Sequence, residues 1–192
     1  LGTFKPTRLA NASQALVIAL LDVNQDGQRD ILVGNDFSIP DMAWLRQNGA
    51  GQNGAWQAAS PFPATAKHTM NFDWGDINND GTFELFATDM VPYRSDEISL
   101  APWMIMMETM APEPKEAGDP QIVSNVLLMQ NGAGAYQNWA VQSGVHASGW
   151  AWSGKFGDLN QDGLLDLYVV NGMIDAEMFD YLPGNEIGRA HV

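Results

Sequence analysis

The chain has 192 residues, 45% of them hydrophobic, which is enough for one domain with a substantial core. Nine Lys and Arg stand against 23 Asp and Glu, a formal charge of -14, which argues against a nucleic-acid backbone or an anionic membrane as partner. Cysteine is absent, which removes disulfides, thiol catalysis and Cys-based metal sites, and the longest apolar run, Ala15 to Leu21, is far short of the roughly 20 residues that span a bilayer.

The chain opens on Leu1 with no basic segment followed by an apolar one, so any export signal is expected to have been removed or to lie outside it. In chain order, Gly2-Thr3-Phe4 precedes an extended stretch from Leu16 to Leu21, the acidic loop Asp22-Val-Asn-Gln-Asp-Gly-Gln-Arg-Asp30 and a β-prone run, Ile31 to Gly34. Gln47-Asn48-Gly49 marks a turn. The same series then returns as Gly54-Ala55-Trp56, Met70 to Trp74, the loop Asp76-Ile-Asn-Asn-Asp-Gly-Thr-Phe-Glu84, and Leu85 to Thr88. It returns a third time, after the turn Gln130-Asn131-Gly132, as Gly134-Ala135-Tyr136, Trp150 to Phe156, the loop Asp158-Leu-Asn-Gln-Asp-Gly-Leu-Leu-Asp166, and Leu167 to Val170.

These are three copies of one unit whose loop reads D-x-N-x-D-G-x-x-[DE]. The unit of about 52 residues, with several strands, has the size of one β-propeller blade. The reading is therefore an all-β chain of three blades, a partial ring, at approximately 1–51, 52–132 and 133–192. The middle unit carries an insertion of about 28 residues at 91–120. Within it, Pro102 to Met110 predicts a short helix with a Met-rich face packed on the body of the domain.

The loops carry the chemistry. A calcium ion takes six to eight oxygens, and positions 1, 3 and 5 converge on one point when Gly at position 6 permits the sharp turn. That makes the expected side-chain ligands Asp22, Asn24, Asp26 and Asp30; Asp76, Asn78, Asp80 and Glu84; and Asp158, Asn160, Asp162 and Asp166. The carbonyls of Gln28, Thr82 and Leu164 supply position 7. An EF-hand needs Glu at position 12, where this chain has Val33, Ala87 and Val169, so that reading fails. Asp, Asn and Gly also form turns without any ion. Turn formation, however, does not require three acids within nine residues in three copies, and crowding carboxylates without a cation is unfavourable. Up to three structural calcium ions are expected, with Kd between about 10⁻⁶ and 10⁻³ M.

Phe156-Gly157 ahead of the third loop and Asp166-Leu-Tyr-Val-Val170 behind it resemble FG-GAP or VCBS repeats, the calcium-binding blades of integrin-α-type propellers. Gly34-Asn35-Asp36-Phe37, Asp73-Trp74-Gly75-Asp76, and Gly149 to Asp158 running into Asn171-Gly172 bring the resemblance nearest to bacterial proteins of the ASPIC/UnbV and cartilage acidic protein type. The resemblance implies a propeller of about seven blades, secreted, periplasmic or on the cell surface. It implies calcium as a structural ion and binding or adhesion rather than catalysis. Two departures stand out: Glu84 in place of Asp at position 9, and Leu20-Leu21 where the other units have Trp74-Gly75 and Phe156-Gly157.

The remaining residues name no nucleophile, and His68, His146 and His191 lack paired spacing and read as surface or strand residues. Trp74, Trp150 and Trp152 are expected to pack between blades, whereas Trp103, in the insertion, is the expected exposed contact for a ligand. The leading reading is a calcium-stabilised, non-catalytic binding or adhesion module whose partners are the remaining blades of its propeller and a protein or carbohydrate ligand. The alternatives are a scaffold region of a secreted carbohydrate-active enzyme and a spacer with no specific ligand.

Overall fold

The computed structural model describes residues 3, 6–47, 55–91 and 118–171. Thirteen strands follow in order: β1 (Ala15–Leu21), β2 (Asp30–Asn35), β3 (Met42–Gln47), β4 (Ala55–Ala59), β5 (Thr65–Ala66), β6 (Asn71–Gly75), β7 (Glu84–Thr88), β8 (Met90–Val91), β9 (Gln121–Ile122), β10 (Val126–Gln130), β11 (Tyr136–Asn138), β12 (Gly149–Gly157) and β13 (Asp166–Asn171). There is no helix among the described residues, and no sheet closes into a barrel. The expected helix from Pro102 to Met110 and the candidate contact Trp103 lie outside the described residues, as does His191.

Every strand predicted beside an acidic loop forms. The loops join β1 to β2, β6 to β7 and β12 to β13, and each hairpin closes in the same register, with Leu21 opposite Asp30, Gly75 opposite Glu84 and Gly157 opposite Asp166. β1-β2-β3-β4 is a four-stranded antiparallel meander, and β6-β7-β10-β11 is a second. β12 and β13 begin a third sheet, to which β8 adds an edge. The fold is that of successive propeller-type blades. Gly54-Ala55-Trp56 and Gly134-Ala135-Tyr136 lead into the fourth strands β4 and β11, so the sheets run 15–59 and 71–138, out of phase with units counted from those landmarks.

The sheets stack face to face, and a period of two along the middle sheet shows how. Leu85, Ala87, Val126 and Leu128 turn toward the first sheet, where they pack with Ala19, Leu21, Leu32 and Ala43. The intervening Phe86 and Leu127 turn the other way and pack with Ala151 and Val169 of the third sheet. Because both faces of β7 are covered, all five of its residues are buried, Glu84 included. That explains a continuous apolar run where a half-exposed strand would alternate.

Two of the tryptophans expected between sheets are on the surface instead: Trp152 is 49% and Trp74 36% exposed. Trp152 sits at a β-bulge, where the register shifts between Ala151 and Ser153, and Leu16 sits at the corresponding bulge between Ala15 and Val17. Trp74 lines a shallow groove with Ile18, Leu20, Arg29 and Phe83. Only Trp150 is half-buried. The Leu21-for-Gly75 departure also has a packing cause. A Cβ at Gly75 would come within 2.6 Å of Leu165 from the next acidic loop, whereas Leu21 fills the first core.

Antiparallel connectivity places the three acidic loops at one end of the sheets and the connections from second to third strands at the other. In the first sheet that connection is the short segment 36–41. In the second it runs from Asp89 to Asn125 and contains the insertion; on one side of it β8 pairs with β12, and on the other β9 pairs in parallel with β5.

Close approach between sheets sets a sharp steric test. A Cβ on Gly154 would lie 2.6 Å from Cε1 of Phe86, so Gly154→Ala is expected to destabilise the chain by about 1–3 kcal/mol. Gly132→Ala, in the open turn between β10 and β11, is expected to stay within about 0.5 kcal/mol of wild type. Urea unfolding of both variants checks this, and equal effects would contradict the stacking of β12 on β7.

Candidate metal centre

The three loops have one geometry. The fourth residue, Gln25, Asn79 or Gln161, is left-handed with φ of 59, 58 and 62°, and the sixth, Gly27, Gly81 or Gly163, has φ of 83, 85 and 87°. Glycine takes this conformation freely, whereas a β-carbon makes it unfavourable, which is why position 6 is Gly in all three. The position-1 carboxylate receives both turning amides: the position-5 N–H donates to it at 3.0, 2.9 and 3.0 Å, and the position-6 N–H at 2.7, 2.9 and 2.9 Å. The position-7 N–H donates to the position-5 carboxylate at 2.9, 2.8 and 2.9 Å.

Position 9 has a different task. Asp30, Glu84 and Asp166 each accept the position-2 N–H, from Val23, Ile77 and Leu159, at 2.9, 2.9 and 3.0 Å. Asp30 is fully buried and also accepts the Arg46 N–H from β3 at 2.8 Å. The longer Glu84 makes the same bond to Ile77 as the aspartates make in their loops, and its other oxygen accepts from the Thr82 hydroxyl at 3.4 Å. Burial, and then the charges of Asp80 and Asp76, push the Glu84 carboxyl above its ordinary range. Hydrogen bonds from the Thr82 hydroxyl and amide hold the exposed Asp80 below its own.

The residues at positions 1, 3 and 5 therefore meet at an exposed rim, with position 9 beneath them, anchoring the loop base. Among the described residues no three Asp, Glu, His or Cys side chains converge closely enough to hold an ion by themselves. The donor chemistry of each loop is nonetheless that of a hard-cation site: carboxylate oxygens, an Asn amide oxygen at position 3, a backbone carbonyl at position 7, and no nitrogen or sulfur ligand. A bound calcium ion would draw on Asp22, Asn24, Asp26 and the Gln28 carbonyl in the first loop and on their equivalents in the others. It would supply countercharge to the three acids crowded in each loop.

The opposite end of the sheets holds a polar cluster that the sequence reading passed over. His68, taken as a surface or strand residue, is 1% exposed, and its Nδ1 lies 3.1 Å from Oδ1 of the fully buried Asp89. Its Nε2 has no hydrogen-bond partner. Asp89 also accepts N–H bonds from Lys67 at 2.9 Å and Met90 at 2.6 Å. The signal that would have found it is periodic: Asn35, Asp89 and Asn171 each lie five residues past position 9 of their loop, and all three are buried. Asn35 does the same work with a neutral amide, accepting from Ser13 and the Gln14 N–H at 2.7 and 2.8 Å. Asp89 is the charged version, and it has an imidazole to meet it. His146, by contrast, is exposed.

The stacked antiparallel sheets, each turning an acidic hairpin loop to the same end, define an all-β repeat protein of the β-propeller type. Residues 3–87, which contain the first two loops, match the family model for the FG-GAP-like repeat. Cartilage acidic protein 1 of Mus musculus is 26% identical over 169 residues. That alignment covers 88% of this chain and 22% of the relative, so the chain spans about a fifth of the length of the curated protein it matches.

Near the His68 cluster, Asp41 accepts from the Asn35 N–H at 2.8 Å and the Thr69 hydroxyl at 2.9 Å, and burial raises its carboxyl to about 7. The folded state thus favours protonated Asp41. Its contribution to stability is full below about pH 4 and is lost as pH rises through 7. Asp41→Asn is expected to remove up to about 4 kcal/mol of that decline, measured as urea-unfolding stability between pH 4 and 8. An unchanged pH slope would contradict the burial of a carboxyl here.

Proposed function

We propose that this chain is a calcium-stabilised segment of a β-propeller that acts as a binding or adhesion module outside the cell or on its surface, with no chemistry of its own. The observation that carries this reading is the loop geometry. Three loops with the same acid spacing fold alike, present the same oxygen donors at one end of the sheets, and concentrate nine of the chain's 23 acids there. Three divalent ions would offset six of the fourteen net negative charges and relieve the self-repulsion of the compact state. Exposed ligand sets of this kind suit the calcium concentrations found outside cells better than those inside. Neighbouring blades of the same propeller cover sheet faces, and a protein or carbohydrate ligand is met by the loops at the end opposite the ions, where the insertion is rooted.

The test is thermal unfolding in EDTA and across a calcium titration, with calorimetric counting of ions. At calcium a hundredfold above Kd, each site is expected to add about 2.7 kcal/mol, or about 5–10 °C in midpoint for a chain of this size. Asp158→Asn is expected to lower the ion count by one and leave the other two affinities unchanged. A midpoint insensitive to both calcium and magnesium would reduce the loops to hydrogen-bonded turns.

A further inference from the structure

We infer that cation binding in the first acidic loop is coupled to docking of the first sheet on the second, through Gln25 and the Val23 carbonyl on one side and Gln130 and Tyr136 on the other. The inference rests on the proposal that the loops hold calcium, and adds to it a route by which one blade senses the ion in its neighbour.

The geometry is a clasp built around two loop positions. Val23, at position 2, is 2% exposed and its N–H is held by Asp30, the position-9 acid. Its carbonyl accepts from the Tyr136 hydroxyl at 3.1 Å and from Gln130 Nε2 at 3.3 Å, both on the second sheet. Gln25, at the left-handed position 4, then donates from Nε2 to Oε1 of Gln130 at 2.8 Å. Gln130 is thus held at both ends of its amide by one loop. The Tyr136 ring stands edge-on to Phe62 at 5.0 Å, which fixes the direction of its hydroxyl. The loop backbone that bears the candidate ligands Asp22, Asn24 and Asp26 is therefore the backbone that the second sheet grips. A related contact runs on to the third sheet, where Nδ2 of Asn79, position 4 of the second loop, donates to the Gly163 carbonyl of the third loop at 3.1 Å.

This gives a purpose to two landmarks that recur with the loops. The Gln-Asn-Gly turn and the Gly-x-aromatic run flank the end of the third strand and the start of the fourth, and in the second sheet these supply Gln130 and Tyr136. An ion that fixes the loop makes the clasp less costly in entropy, and a closed clasp pre-forms the loop for the ion. Linkage makes the two effects equal.

A double-mutant cycle in the full chain tests the coupling. Gln25→Asn keeps a residue that tolerates the left-handed backbone but is too short to reach Gln130, Gln130→Ala removes the partner, and the two are combined. Stability is measured by urea unfolding in EDTA and in calcium at a hundred times the measured Kd. The coupling between the two positions is expected to be at least about three-fold larger, as a folding equilibrium constant, in calcium than in EDTA. Calorimetry on Gln130→Ala and Tyr136→Phe, the latter keeping the ring against Phe62, is expected to show one ion weakened by the same factor and the others unchanged. If calcium binds to wild type but the coupling and all affinities are the same with and without the clasp, the inference is overturned and the calcium reading stands. If wild type binds no calcium, the calcium reading itself falls and takes the inference with it.

Discussion

Everything else in this fold is built on the way an aspartate at the start of each acidic loop takes the two backbone amides that must turn inward for the chain to reverse. Buried or crowded amides need acceptors, and here one carboxylate supplies both, while the acid at position 9 secures the amide at position 2. Those bonds close the hairpins in one register three times over. A register set at the loop decides which residues of the two strands face which neighbouring sheet. A slip of one residue would turn Leu85 and Ala87 toward the third sheet and Phe86 toward the first.

The two ends of the sheets then divide the work. At the loop end the three units are nearly copies, because all three solve the same problem of crowded charge and inward amides. At the other end they diverge. Where the first unit has the neutral Asn35 accepting from the Gln14 backbone, the second has Asp89 and a buried His68, and its connection to the third strand is lengthened to hold the insertion. Divergence at one end of a conserved scaffold is how a repeat protein acquires particular contacts without altering the packing that stabilises it.

Packing between sheets shows a similar economy. β7 lies between two neighbours and is buried on both faces: Leu85, Phe86 and Ala87 supply the apolar packing, and Glu84 is buried because the loop needs its carboxylate. Leu16 and Trp152, at the two bulges, are exposed, while the sheets approach closely at Gly154 and Gly34. At both glycines a Cβ would come within about 2.6 Å of a neighbouring side-chain atom.

Local order was legible in the sequence. Acid spacing, obligatory Gly at position 6 and apolar runs on either side are short-range demands of the backbone, so the three hairpins, the all-β class and the turn geometry of the acidic loops could be read from residues within about ten positions of one another. What the sequence left open depended on which distant segments meet. That Tyr136 and Gln130 grip Val23, more than a hundred residues earlier, is a fact of sheet stacking. So is the pairing of His68 with Asp89: the position of Asp89 recurs in the repeat, but its partner lies 21 positions earlier, across the complete β6–β7 hairpin. The exposure of Trp152 turned on a bulge, and bulges are set by how neighbouring strands fit rather than by side-chain type. The sequence by itself determined the hairpins and their charge. Only the tertiary structure decided which faces they share, because burial is a property of the space between elements and not of any one of them.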